Sequence, residues 1–379
     1  MPTRRELLAA TSAVGIGALV ETVTLAGQSA PEDRRKEPYR IGVISARNQG
    51  KPQRTNGHTW QFTESFHSEC NMDAIRKLLD PGRVELFGKH LRNPREHFNI
   101  LPHRDVRVTH YYEKDPEIAK LYTQAFSGVE VASSVEQMAK EVDAVWLGDG
   151  SGIGDDHFDL IAPALERGLP SFCDKPIGGT VAGTRKILEL ARRNKAPIMS
   201  SSLFRHQWGT EEAVRLRDAG EFGELEYVIA SMGGRYSADR WAVYGQHPAW
   251  TVMTICGPGV EAVSAYAVPD RTCHALVTYE NRLPAEIWFG RPDVSNRYNE
   301  TSVHFTKDTY TYSPAIEGNR WYGHHYQMIN MANVFLDMVR TGIEPVPHQE
   351  ILEVTAIVHA GVKSMKEKSR LVSLEEVMG

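Results

Sequence analysis

The chain of 379 residues predicts an α/β protein in two parts: a doubly wound parallel sheet first, then an α+β domain on a largely antiparallel open sheet. Three observations lead there. Between residues 39 and 200, short apolar runs alternate with amphipathic helical stretches, as in a parallel sheet covered on both faces. Beyond residue 203, longer alternating strands follow one another without long helices between them. The length exceeds what one small core organises.

Residues 1–30 stand apart from both parts. Thr3-Arg4-Arg5-Glu6-Leu7-Leu8 precedes a small and apolar run from 9 to 20, with small residues near Ala26 and Ala30. Charged region, short apolar region and small-residue site, in that order, describe an export signal, and the arginine pair resembles a twin-arginine signal. A frayed amphipathic N-terminus is the alternative. The apolar run is short for a membrane span. Residues 31–38, rich in charge and bounded by prolines, read as a linker.

Residues 39–45 read as a buried strand, and a helix is expected from near Thr59 to Leu79. Residues 81–104, with Pro81, Pro94 and Pro102, read as irregular. Strands are expected at 106–112, 142–147, 170–173 and 196–200, and helices at 116–126, 135–140, 158–167 and 180–194. Pro116 suits the first turn of its helix. In the second part, strands are expected at 225–231, 260–268, 274–289 and 302–313. Helices are expected at 211–219, 247–256, 326–340 and 349–368.

Composition excludes several functions. Hydrophobic residues make up 41% and charged residues 24%, as in ordinary globular proteins. The net charge of −5 argues against nucleic-acid binding, which needs a basic surface. Four cysteines without CxxC spacing argue against a disulfide scaffold and a cysteine zinc site. No metal is expected: a helix N-cap explains Asp155, Asp156 and Asp159 more simply than a metal site shared with His157.

Several segments stand in a telling order. Asp143-Ala144-Val145-Trp146-Leu147 leads to a loop with His157 and a helix ending in Arg167-Gly168. Cys173-Asp174-Lys175-Pro176-Ile177-Gly178 follows, then Phe204-Arg205, then Gly245-Gln246-His247 opening a helix that ends at Gly257-Pro258-Gly259. This order resembles the Gfo/Idh/MocA oxidoreductases of sugars and polyols over most of residues 39–379, with Asp-Lys-Pro standing for that family's Glu-Lys-Pro. The resemblance implies a Rossmann-like dinucleotide domain over 39–202, a substrate and oligomerisation domain over 203–379, and a cleft between them. It implies NAD or NADP as cofactor, a small carbohydrate substrate and a homo-oligomer; Glu113 slightly favours NAD, Arg47 could instead meet the 2′-phosphate of NADP, and a tightly held cofactor would suit export of a folded protein.

Lys175 follows a strand end, where open α/β sheets place ligands, and can polarise an alcohol oxygen. Without the family it would read as a surface lysine in a turn. His247 can exchange a proton near neutral pH, or simply sit at a helix N-terminus. Cofactor contacts are expected from Gly42, Ser45, Arg47, Gly50, Glu113, Asp149, His157, Asp174 and Lys175. Substrate contacts are expected from Arg205, Tyr244, Trp250, His324 and His325, although Arg205 equally suits a structural ion pair and aromatic residues more often pack in cores.

Two departures cut against the dehydrogenase reading. Ser45, Arg47 and Gly50 stand where a Gly-x-Gly-x-x-Gly loop should be, so two glycines are missing. Either Arg47 and Arg54 replace backbone contacts to phosphate, or the site has degenerated. Glu113, at the second strand's end, can accept the ribose hydroxyls of NAD or be a solvated turn carboxylate. Val243 and Trp250 occupy places where family members often carry aspartates. The two function classes are therefore an exported NAD(P)-dependent oxidoreductase, with redox-assisted glycoside cleavage as one form, and a fold-retaining sugar-binding protein or non-redox lyase.

Overall fold

Six parallel strands form the first sheet, in the order β3-β2-β1-β4-β5-β6. They are β1 (Tyr39–Ser45), β2 (Val106–Tyr112), β3 (Glu130–Val131), β4 (Ala144–Gly148), β5 (Ser171–Cys173) and β6 (Ile198–Met199). The computed structural model describes residues 37–379 except 49, 56, 68, 80, 82–83, 85–102, 150–151, 292–298 and 314–319. The export signal expected over 1–30 lies outside the described residues.

The strand order reverses between β1 and β4, which opens a crevice at their carboxyl ends. Helices α1 (Gly57–Trp60) and α2 (Met72–Leu78) follow β1. The crossovers are α3 (Pro116–Ala125), α4 (Val135–Glu141), α5 (His157–Glu166) and α6 (Val181–Asn194). Local chemistry starts them. Asp115 accepts the N–H groups of Glu117 and Ile118 ahead of Pro116, and Ser134 and Thr180 cap α4 and α6 through Gln137 N–H and Gly183 N–H.

Mid-strand Gly42 packs against α4, where a Cβ would stand 2.5 Å from Met138 Sδ. Its smallness serves that close approach, a packing role beside the cofactor contact expected of it. The core between β4 and β5 is aromatic: Trp146 stacks on Phe172 with centroids 3.8 Å apart, and Phe335 meets the Trp146 ring edge-on at 5.2 Å.

The second sheet has seven strands in the order β12-β11-β7-β10-β9-β8-β13. They are β7 (Leu225–Gly233), β8 (Val260–Val268), β9 (Thr272–Tyr279), β10 (Pro284–Arg291), β11 (Asn299–Phe305), β12 (Thr309–Tyr312) and β13 (Val372–Ser373). Every pair is antiparallel except β7 with β10. Along β9, Cys273, Ala275, Val277 and Tyr279 are buried while Leu276 faces out. Helices α7 (Trp208–Ala219), α8 (Ala238–Tyr244), α9 (Gln246–Cys256), α10 (Arg320–Thr341) and α11 (His348–Lys366) complete this half, with α9 and α11 packed on the sheet.

The structure departs from the sequence reading in places. The helix expected over 59–79 is broken into α1, a 3₁₀ turn at Glu64–Phe66 and α2, because Asn71 caps a new start by accepting Asp73 and Ala74 N–H. The strands expected over 274–289 and 302–313 are two hairpins, the first turning at Arg282 with φ 66°. Helix α8, which the sequence reading missed, is held by Trp241, whose Nε1 donates to Val358 O in α11 at 3.0 Å.

Candidate active site

The carboxyl ends of β4 and β5 bring two buried carboxylates together. Asp174 Oδ2 accepts the Asp149 N–H at 2.9 Å and also pairs with His58 Nδ1, while Oδ1 accepts the Lys175 N–H at 2.7 Å. Asp149 in turn accepts Gly152 N–H at 2.6 Å and pairs with His157 Nε2 at 3.1 Å. Burial pushes the Asp149 carboxyl up, but the His157 bond and charge outweigh it and hold it below its ordinary value. Burial likewise opposes charge on His157, yet Cys173 and the Asp149 carboxylate keep it well above the ordinary value.

His157 is thus fully enclosed, with Nδ1 facing Ile177 O at 3.2 Å. It braces the loop after β4 against the Lys-Pro turn; it does not face the cleft as the family resemblance implied. Asp156 also differs from expectation. Its carboxylate does not cap α5 but accepts the Arg47 N–H at 2.9 Å.

Lys175 stands on this framework. Its side chain is buried, and among the described residues its ammonium has no hydrogen-bond partner. Burial pushes its pKa below the ordinary value, against the charges of Asp174 and Asp149. Its Nζ lies 5.2 Å from the Tyr244 ring centroid. The His247 ring lies 5.9 Å from that of Tyr244, and its Nδ1 shares a 2.6 Å hydrogen bond with Ser202 Oγ. Lys175, Tyr244 and His247 are therefore brought together from β5, α8 and α9.

Two expected substrate contacts fall elsewhere. Arg205 Nη1 pairs with Glu350 at 2.5 Å and its guanidinium lies 5.6 Å from the Trp250 ring, so it is an internal ion pair. Trp250 is 1% exposed and presents no face to a ligand. His324 and His325 lie on α10, but their side chains are outside the described residues.

A cavity of about 430 Å³ occupies the β1/β4 crevice, lined by Ser45, Arg47, Gly50, Tyr112, Lys114 and Asp156 among others. Its backbone is poorly suited to phosphate. The Arg47 N–H is taken by Asp156, the Gln53 N–H by Glu113 at 3.2 Å, and Asn48 and Lys51 bond each other. Helix α1 is a single turn, too short to supply a dipole site. The side chains suit a polar ligand better: among the described residues Arg47 Nε is buried without a hydrogen-bond partner, and Ser45 Oγ lies beside the Glu113 carboxylate. Glu113 is 2% exposed and accepts the Gln53 N–H, rather than being a solvated turn residue, and burial raises its pKa. The residues thus fit a nucleotide held by side chains in place of a glycine cradle.

Sequence reasoning missed His58, Ser202 and the Asp156–Arg47 contact. No local pattern marks them, since the partners are 116, 45 and 109 residues away.

The fold and site define a Rossmann-type protein with a second, mostly antiparallel sheet. Residues 87–202 match the family model described as oxidoreductase family, NAD-binding Rossmann fold, which supports the Gfo/Idh/MocA resemblance. A trans-1,2-dihydrobenzene-1,2-diol dehydrogenase of Xenopus laevis is 26% identical over 137 residues, 36% of this chain and 41% of that protein. The chain thus matches about two fifths of that relative's length. Among solved structures, scyllo-inositol dehydrogenase from Lactobacillus casei, with bound NAD(H) and scyllo-inositol, is similar with a TM-score of 0.63 at 14% identity, over 89% of this chain and 100% of that one. A myo-inositol dehydrogenase from Corynebacterium glutamicum gives 0.64 at 15%, over 89% of this chain and 99% of that one. At these identities the likeness carries the fold.

Proposed function

We propose that the protein is an NAD(P)-dependent oxidoreductase acting on a CH–OH group of a sugar, polyol or glycoside. The observation that carries this is the buried Lys175 ammonium, without a hydrogen-bond partner among the described residues, beside Tyr244 and His247 just past the end of β5. A bound nicotinamide dinucleotide supplies the two-electron acceptor or donor. Ser45 and Arg47 would hold it, with Lys114 beside them at the end of β2.

Lys175 Nζ donates to the substrate hydroxyl oxygen and stabilises the negative charge that grows there as the C–O bond gains carbonyl character. His247, placed by the hydrogen bond of its Nδ1 with Ser202 Oγ, is the group to take the alcohol proton. Tyr244 shields the ammonium from water.

A second reading has its own support. The Arg47 N–H that would meet a phosphate is occupied by the Asp156 carboxylate, which favours a fold-retaining sugar-binding protein or non-redox lyase. Denaturing the purified protein and assaying released NAD(H) and NADP(H), backed by titration of added cofactor, decides between them. No released nucleotide and no binding at millimolar concentration sinks the oxidoreductase reading.

Export through the twin-arginine route and a homo-oligomeric state remain part of the proposal. The arginine pair at 4–5 supports the first. Exposed Tyr266 and Leu276 on the outer face of the second sheet support the second. Fractionation with N-terminal sequencing and light scattering test them.

A further inference from the structure

Arg240 on α8 is exposed, and its guanidinium lies against an aromatic ring. It lies 5.1 Å from the Tyr244 ring centroid, on the same ring that Lys175 Nζ approaches at 5.2 Å. Gly234 makes room for it. That residue has φ 104°, and a Cβ there would stand 2.9 Å from Arg240 Nη2. Among the described residues Arg240 forms no ion pair, and the Lys175 ammonium has no hydrogen bond. At these distances from one centroid, the two charges are no more than about 10 Å apart. The nearby carboxylates of Asp149 and Asp174 are committed to His157, His58 and backbone N–H groups below Lys175.

Two cations sharing one aromatic ring repel each other, and a ligand carrying one negative charge relieves that repulsion. We propose that the cleft takes an anionic polyol, a sugar acid whose carboxylate pairs with Arg240 while a hydroxyl further along the chain meets Lys175. The guanidinium fork matches a carboxylate with two parallel hydrogen bonds. The Tyr244 ring, which both cations approach, offers apolar surface to the C–H groups of the carbon chain. This deepens the oxidoreductase reading by naming its substrate class, and rests on that reading only for the chemistry, not for the binding.

The test is calorimetric titration of the full chain with D-glucuronate, D-gluconate, glucose 6-phosphate and glucose, each with and without NADH. The sugar acids are expected to bind about tenfold or more tighter than glucose. Arg240→Gln is expected to remove that preference and Arg240→Lys to retain part of it. A glucose 6-phosphate preference that Arg240→Gln abolishes sustains the anionic class with phosphate as its source. Equal binding of glucose and the sugar acids, no binding of any of them, or a preference that survives Arg240→Gln overturns the proposal. A preference for sugar acids in a protein that binds neither NADH nor NADPH leaves this inference standing and sinks the oxidoreductase reading. NADH binding without that preference does the reverse.

Discussion

His58 and Asp174 are joined by a hydrogen bond between the imidazole Nδ1 and a carboxylate oxygen, across 116 residues of chain. The carboxylate is 1% exposed and takes its other donors from the backbone of Asp149 and Lys175. Removing the ring leaves a buried charge short of one donor. His58→Phe is therefore expected to lower stability by about 1–3 kcal/mol, read as a shift in the urea midpoint at unchanged m-value.

Lys175→Met keeps much of the side-chain volume but removes the donor aimed at the substrate oxygen. Turnover is expected to fall by about 10²–10³-fold, with the circular dichroism spectrum unchanged. Activity within a few-fold of the parent removes Lys175 from the chemistry.

Asp156 sets a negative charge on the wall of the nucleotide cavity and occupies the Arg47 N–H. Asp156→Asn removes the charge. It is expected to tighten NADH binding roughly tenfold, measured by quenching of tryptophan fluorescence. Weaker binding in the variant makes Asp156 a ligand contact instead of an obstacle.

Acid stability follows from two buried histidines. Burial pushes His67 down to about 3, and does the same to His206, where the Arg205 charge adds to the effect. Both are neutral when folded but charge in the unfolded chain below about 6.5, so the unfolded state binds more protons and stability falls as pH drops from there toward 3. Each contributes up to about 1.4 kcal/mol per pH unit. Urea midpoints measured at neutral pH and near pH 5 should differ, and the difference should shrink in His67→Phe. An equal difference in that variant sinks the assignment.

Trp146 is fully buried, stacked on Phe172 and edged by Phe335. Trp146→Ala leaves a large cavity between the first sheet and α10, and is expected to cost about 3–5 kcal/mol by chemical denaturation.

Much of this molecule is legible in one dimension. The strand over 106–112 agrees with β2 residue for residue, and that over 260–268 with β8, because periodicity and apolar runs are properties of neighbouring residues. Caps at Ser134 and Thr180 act within three residues of themselves. The Lys-Pro motif could be placed at a strand end for the same reason. The breaks inside 59–79 and 274–289 were less legible, since a polar cap or a two-strand turn competes with a periodicity that continues through it.

Other features are settled by groups distant in the chain. Arg205 reads equally as a ligand contact or an ion pair until Glu350, 145 residues on, is set beside it. Trp250 reads as a stacking face until the packing of α9 buries it. Asp156 reads as a cap until the loop after β1 brings the Arg47 N–H to it. Local patterns determine which elements form and where reactive side chains enter and leave them. Which of those side chains are satisfied by one another, and which remain for a ligand, depends on burial and charge in three dimensions. That is why Lys175 could be chosen from its motif, whereas its companionship with Tyr244 and Arg240 could not.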